Sequence, residues 1–252
     1  MVIAFIPARS GSKGVPNKNS LVLGTETLTG RAISLGLSSA KIDFVVVSTD
    51  TDLLVHNNPI LASVGAEFAT LGEGSVKEVS SRILLHKRRS VDATDTARTS
   101  DAVMNFLEGF LHTEDDLILL IQPTSPFREK EELEEFMKGY LDSGYESGLS
   151  MKLLESPHPL KSFALQGDVL VLDTTQMVAW GKPRQELPAR YGPDGAFYIS
   201  TIRNLKNNQS FLSTINYVYV REGLRTANID TQIDFEFAKF IYEHKSDERS
   251  KE

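Results

Sequence analysis

Cysteine is absent from all 252 residues. That removes disulfide scaffolds, thiolate nucleophiles and cysteine metal sites together. Long apolar runs are absent too: no stretch reaches the roughly 20 residues that span a bilayer. The first apolar run, Val2 to Ile6, has no cationic segment before it and is too short for a secretory signal. A cytoplasmic protein with no membrane partner is the expectation. Positive charge is scarce: 27 Lys and Arg against 34 Asp and Glu give a net charge of −7. A general nucleic-acid binder needs a basic surface to offset phosphate repulsion, so nucleic acid is not the expected partner. There is no internal repeat and no low-complexity tract.

What is present is an apolar fraction of 40%, ordinary for a globular core, in a length suited to one large α/β domain with at most a small appendage. The most informative stretch is Val2 to Asn19, VIAFIPARSGSKGVPNKN. An apolar run stops at Pro7. The loop after it combines Ser10, Gly11, Ser12 and Gly14 with the cations Arg9, Lys13 and Lys18. Small residues let backbone N–H groups approach an anion, and the cations neutralise it, so this is a phosphate-binding pattern. It matches neither G-x-x-x-x-G-K-[ST] nor G-x-G-x-x-G, which sets it apart from Walker and dinucleotide loops.

Apolar runs predict strands at Val2–Ile6, Phe44–Val47, Leu117–Ile121, Ser147–Met151, Gly195–Ile199 and Ile215–Val220. Helical patterns lie between the early ones: Leu28 to Leu37, Thr51–Val64 interrupted near Pro59, Asp101–His112, and Glu129–Leu141 with acids in its first turn, as the helix dipole favours. A further helix is expected at Gln232–His244, followed by a frayed, charged tail. The alternation implies an α/β fold with a doubly wound, mostly parallel sheet and a ligand crevice at the strand ends. Two segments break the pattern. Ala69–Lys87, with Gly72, Gly74 and Ser80-Ser81, reads as an insertion made of a loop and a short helix. In Pro157–Arg190, Lys161–Leu165 and Val169–Leu172 flank the turn Gln166-Gly167-Asp168 and read as a β-hairpin, too small to fold alone. The expected division is a main domain of residues 1–155 and 192–252 with an inserted element of residues 156–191.

Further candidate sites follow along the chain. Ser48-Thr49-Asp50 ends the second strand, where Asp50 would orient a ribose or a metal, while Thr51 and Asp52 suit a helix cap. Gln122 leaves a strand into a turn fixed by Pro123 and Pro126, and its amide suits a base or sugar. Thr124, Ser125 and Arg128 read as structural there. Lys161 follows His158; alone it reads as solvated. Arg184 between Pro183 and Pro188 is an anion clamp or a surface ion pair. Asn228 and Asp230 share a strand face and offer oxygen to a hard cation; Asp230 or Thr231 capping the next helix is the plainer alternative.

In order, these segments (PARSGSKGVPNKN, STD, DATDTARTSD, LIQPTSPFR, HPLK, PRQELP, GPDGAFYI and NIDTQIDFEFA) resemble the N-acylneuraminate cytidylyltransferases, the CMP-sialic acid synthetases, from the first residues to about Ala238. The resemblance implies a nucleotidyltransferase fold, a homodimer, and Mg2+-dependent transfer of CMP from CTP to an acidic nine-carbon 2-keto sugar. It places Arg9, Lys13 and Lys18 on the triphosphate, with Ala8, Ser12 and Asn19 beside them. Arg88, seven residues before Asp95, falls on the cytosine, with Arg89 as fallback, and Thr99 lies near the base. Gln122, Lys161, Arg184 and Tyr198 fall on the sugar, the hairpin serving dimerisation. Asp230 matches the second acid of a D-x-D metal pair, making Arg9, Lys13, Lys18 and Asp230 the catalytic set.

The sequence departs from the family pattern at several positions. The first metal acid is Asn228, a neutral and weaker ligand. An Arg before the P-N-G-A block is Gly192, with Arg190 two residues back on the same face, and the block's Asn is Asp194. The sugar is therefore sialic acid or another nonulosonate such as legionaminic or pseudaminic acid. The rival expectations are a nucleotidyltransferase that is CMP-Kdo-like or uses a sugar phosphate, and a degenerate CTP-binding module.

Overall fold

The computed structural model describes residues 1–11 and 14–249, so Ser12 and Lys13 lie outside the described residues. The strands are β1 (Val2–Pro7), β2 (Val22–Leu23), β3 (Glu26–Thr27), β4 (Phe44–Thr49), β5 (Val76–Ser80), β6 (Ile83–Lys87), β7 (Leu117–Leu120), β8 (Ser147–Leu153), β9 (Ala164–Gln166), β10 (Val169–Val171), β11 (Tyr191–Thr201) and β12 (Tyr217–Arg221). The helices are α1 (Leu28–Ser38), α2 (Asp52–His56), α3 (Gly65–Thr70), α4 (Thr99–Glu108), α5 (Lys130–Ser143), α6 (Thr174–Trp180), α7 (Ile202–Asn208) and α8 (Gln232–Arg249). Among the described residues no helix is long and apolar enough to cross a membrane.

Eight strands form one sheet in the order β12-β8-β11-β7-β1-β4-β6-β5. β7, β1, β4 and β6 run parallel, and β8 and β12 share their direction; β11 and β5 run against it. The strand order reverses at β1, which has β4 on one side and β7 on the other. That reversal opens a crevice at the strand ends. β1 is apolar throughout because both its faces are covered: Ile3, Ala4, Phe5 and Ile6 have no solvent exposure. Ala4 and Ile6 face one layer with residues of α1, α3 and α5; Ile3 and Phe5 face the other with residues of α4 and α7. A third cluster joins Leu23, Leu28 and Phe127 to Ile229 and the apolar stripe of α8.

Local signals set the helix starts. Thr27 Oγ1 accepts the Gly30 N–H at 2.9 Å to cap α1, and Thr51 Oγ1 accepts that of Leu53 at 3.3 Å to cap α2. Glu132 reaches back to the Glu129 N–H at 3.1 Å, and α5 ends at Gly144 with φ +69°. The helical pattern expected over Thr51–Val64 breaks into α2, a 3-10 turn at Ala62–Val64 and then α3.

The Ala69–Lys87 expectation is corrected. The segment is not an insertion but carries β5 and β6, and β6 is an inner strand parallel to β4. Its apolar run is short, and the polar His86 that ends it is itself buried. In the 156–191 region, β9 and β10 form a two-stranded antiparallel ladder around Gly167 and Asp168. Lys161 ends a 3-10 turn, Pro159–Lys161, rather than beginning a strand. Helix α8 continues past His244 into the segment expected to fray.

A buried ion triad shapes the middle of β11. Arg221 on β12 meets Asp194 at 2.7 Å and Glu132 at 3.1 Å and donates to the Phe127 carbonyl at 3.1 Å. Burial alone would lower the Arg221 pKa; hydrogen bonding and charge from Glu132 and Asp194 outweigh it and raise it. Asp194 also accepts the Ala196 N–H at 3.1 Å, inside the register shift between Pro193 and Tyr198. The triad therefore fixes a bulge that turns Gly195, at φ +80°, toward the strand-end crevice. The charge of Asp194 is thereby matched within the chain. Arg221→Ala would leave two buried carboxylates without their cation and is expected to cost about 3–5 kcal/mol, measured as the shift in urea unfolding.

Candidate active site

The crevice collects the residues that follow four parallel strands: Arg9 after β1, Asp50 after β4, Arg88 after β6 and Gln122 after β7. A cleft of about 170 Å3 there is lined by Pro7, Arg9, Lys18, Asn19, Arg88, Ala97, Thr99, Gln122, Pro123 and Thr124. Six of the residues singled out in the sequence thus meet in one place.

The first loop is held from several sides. Ala8, buried, donates its N–H to the Ser48 carbonyl at 2.8 Å. Asp50 accepts from the Ser10 N–H at 2.7 Å and from its hydroxyl. Both Asp50 oxygens thus hold the loop. Asn19 donates to the Arg9 carbonyl at 2.8 Å, and Arg9 directs Nη1 and Nη2 at Asp95, each 3.1 Å away. Lys18 Nζ donates to the Ile229 carbonyl at 2.8 Å and lies 3.2 Å from Asp230 Oδ1. Gly14 rests on the same segment: a Cβ there would lie 2.0 Å from the Asp230 carbonyl oxygen, so only glycine fits.

Opposite the loop, Gln122, Ser125, Gly195 and Asn228 converge. A Cβ on Gly195 would lie 3.2 Å from Gln122 Oε1 and 3.5 Å from Asn228 Oδ1. Ser125 donates to Asn228 Oδ1 at 3.2 Å, and Asn228 Nδ2 donates to Asp230 Oδ2 at 2.9 Å. Thr231, the alternative to Asp230, caps α8: its Oγ1 accepts the Asp234 N–H at 3.3 Å, and Asp234 reaches back to the N–H groups of Asp230 and Thr231 at 3.0 and 2.8 Å. Asp230 is left largely exposed at the cleft mouth.

At the base of the cleft Arg88 is buried. It donates through Nε to Ser48 Oγ at 3.1 Å and through Nη2 to the Ser48 carbonyl at 3.4 Å. Burial lowers its pKa to about 10, with Asp50 opposing and Arg9 adding to the fall, so it stays cationic at neutral pH. Thr99 sits at the start of α4 beside it. Arg89 instead pairs with Asp92 at 2.8 Å on the surface.

The remaining candidates lie elsewhere in the chain. Lys161 donates to the Lys182 carbonyl at 2.7 Å, and Arg184 pairs with Glu155 at 3.0 Å, the surface ion pair that was its plainer alternative. Arg184 and Arg190 line a separate groove of about 390 Å3 with His158 and Glu155. Tyr198 packs on the second apolar layer with its ring centroid 6.5 Å from that of Phe211, and burial raises its pKa. Sequence reasoning passed over Arg221 and named Ser48, Ser125 and Asp194 without the partners they meet. A serine or acid read as a cap or turn carries no outward sign of the partner it meets across the sheet.

Among the described residues no group of three or more His, Cys, Asp or Glu converges on a metal position. The donors at the cleft mouth are one exposed carboxylate, Asp230, and one amide, Asn228. One carboxylate is sufficient for Mg2+ when substrate phosphates and water complete its octahedron, so the residues fit a nucleotide-borne ion and not a protein-made cage.

A reversal of strand order with a cationic, small-residue loop at its mouth defines an α/β nucleotidyltransferase architecture. A family model described as Cytidylyltransferase matches residues 3–70. An N-acylneuraminate cytidylyltransferase of Escherichia coli O18:K1:H7 is 28% identical over 97% of this chain and 53% of its own length. The CMP-N,N'-diacetyllegionaminic acid synthase of Legionella pneumophila is 27% identical, covering 96% of each chain. A solved CMP:2-keto-3-deoxy-manno-octonic acid synthetase complexed with CTP superposes with a TM-score of 0.62 over 97% of this chain and 99% of its own, at 11% identity. The chain is thus similar to cytidylyltransferases, the N-acylneuraminate and legionaminic acid enzymes among them. It spans about half the length of the Escherichia coli relative and nearly all of the Legionella one.

Gly14→Ala is expected to push the loop off Asp230 and weaken pyrophosphate or nucleoside triphosphate binding by about tenfold or more, since displacements near 1 Å carry such penalties. Calorimetry reads this directly, and unchanged affinity would mean that the loop takes no part in anion binding.

Proposed function

We propose that the chain transfers CMP from CTP to the anomeric hydroxyl of a sialic-acid-like nonulosonic acid, with release of pyrophosphate. The observation that carries the reading is the single cleft joining Arg9, Lys18 and Asn19 to Arg88, Thr99 and Gln122. Arg9 and Lys18, with Lys13 and Ser12 by sequence, hold the triphosphate and take up the charge that grows on the leaving pyrophosphate. The sugar hydroxyl attacks the α-phosphorus in line; its oxygen forms the new O–P bond as the bond to the bridging oxygen of the β-phosphate breaks. Arg88 and Thr99 meet the base, and Gln122 meets the sugar. Mg2+, held by Asp230 beside Asn228 and by the phosphates, supplies further charge neutralisation when bound.

Lys161 and Arg184 stand outside this cleft. The same region exposes Leu165, Val169, Leu170, Met177, Val178 and Trp180. Such a patch supports a homodimer in which the 156–191 element covers a second subunit and brings these cations to the sugar carboxylate there.

Pyrophosphate release from CTP, UTP and GTP across sialic, legionaminic and pseudaminic acids, Kdo and sugar phosphates tests the reading. Release with CTP and a free nonulosonic acid is expected. Release only with a sugar phosphate, or none at all, overturns it. Asn228 favours the rival of a CTP-binding module without turnover, and turnover on the order of 1 s⁻¹ by the natural chain removes that rival. Asn228→Asp is expected to lower the Mg2+ concentration for half-maximal rate several-fold, and Asp230→Asn to cut kcat by about 10²-fold.

A further inference from the structure

A line of four buried polar groups runs from the second face of the sheet to Arg88. Ser48 on β4 and His86 on β6 are register partners and point to the same side. His86 is wholly buried, with its ring beside those of Phe5 and Phe106, at centroid separations of 6.4 and 5.8 Å. Its Nδ1 lies 3.0 Å from Ser48 Oγ, and its Nε2 lies 3.1 Å from Asn105 Oδ1 on α4. Asn105 Nδ2 lies 3.4 Å from Glu108 Oε2, and Arg88 Nε lies 3.1 Å from Ser48 Oγ.

The donors and acceptors allow one arrangement. The Glu108 carboxylate accepts only, so Asn105 turns its amide N–H2 to Glu108 and its oxygen to His86. His86 then carries its proton on Nε2 and accepts at Nδ1. Ser48 gives its hydroxyl proton to Nδ1 and accepts from Arg88 Nε with a lone pair. Burial lowers the His86 pKa to about 4, with Asn105 opposing and Arg88 adding to the fall, so the imidazole is neutral, as this arrangement requires. No water is needed to complete the line, and each bond fixes the polarity of the next.

We propose that Ser48, His86 and Asn105 are positioning residues that lock the Arg88 guanidinium in one plane and thereby set the preference for cytosine over uracil. Held by Nε, and by Nη2 on the Ser48 carbonyl, the guanidinium keeps Nη1 with no partner among the described residues and available to the cleft. Cytosine offers adjacent acceptors, O2 and N3, to such a fork. Uracil offers O2 but a donor at N3, which a fixed guanidinium cannot satisfy. A guanidinium free to rotate would shift to the remaining uracil oxygens and discriminate less, because rejection depends on leaving a rigid buried polar group unpaired. The inference rests on the reading of Arg88 as the base contact and adds what makes that contact selective.

The experiment measures the dissociation constants of CTP and UTP by calorimetry for the natural chain, Ser48→Ala, His86→Leu, His86→Asn and Arg88→Lys, with thermal unfolding in parallel. Ser48→Ala and His86→Leu are expected to lower the CTP preference by about tenfold, the scale for losing one hydrogen bond to a charged group. His86→Asn keeps an acceptor where Nδ1 stands and is expected to retain most of the preference. A merely structural role would lower the melting temperature and leave the CTP:UTP ratio alone, and that result overturns the proposal. Loss of preference in Arg88→Lys but not in Ser48→Ala sinks the relay and leaves the base contact standing. Preference unchanged in Arg88→Lys sinks both.

Discussion

The constraint on which the site depends is the seating of the first loop on a segment more than two hundred residues away. Gly14 leaves no room for a side chain against the Asp230 carbonyl. Lys18 closes the contact from the other side, on the Ile229 carbonyl and the Asp230 carboxylate, 211 and 212 residues along the chain. One ammonium therefore does two jobs. It satisfies a loop carbonyl and carries positive charge into the cleft. The seating of the loop therefore depends on a segment distant in sequence, which couples it to the rest of the domain.

The far wall depends on a second long-range device. Arg221 offsets the charge of Asp194 and Glu132 in the interior, and the bulge that Asp194 holds carries Gly195 to Gln122, Ser125 and Asn228. Buried ion triads are seldom the most stable filling for a core, but they fix geometry, because each partner is costly to leave unmatched. Here the geometry fixed is the side of the cleft proposed for the sugar. The end proposed for the base is fixed differently, by neutral groups in a line behind Arg88. Charge sets one wall and hydrogen-bond polarity sets the other.

Much of this was legible in the sequence where signal and cause are local. The apolar runs of β1, β4, β7, β8, β11 and β12 announce themselves, and so do the cap of α2 and the acidic first turn of α5. The small-residue cationic loop pointed to phosphate from its own composition, and Arg88, Thr99 and Gln122 came from spacing shared with the cytidylyltransferases. What was not legible lies across the sheet. β6 was read as an insertion because a buried histidine looks like a surface one until Ser48 and Asn105 are seen beside it. β5 was passed over because an edge strand with one wet face has no continuous apolar run. Arg221 ends an edge strand and reads as solvated, with its partners 27 and 89 residues distant. Asp194 looked like a departure bearing on the sugar, and its charge is matched by the cation beside it.

A crystal structure with CTP and Mg2+ tests the central claim most directly. The expected result is a triphosphate within hydrogen-bonding distance of Arg9 and Lys18, the metal on Asp230, and the cytosine edge against the Arg88 guanidinium. A nucleotide lying in the Arg184 and Arg190 groove, or a base out of reach of Arg88, would contradict it.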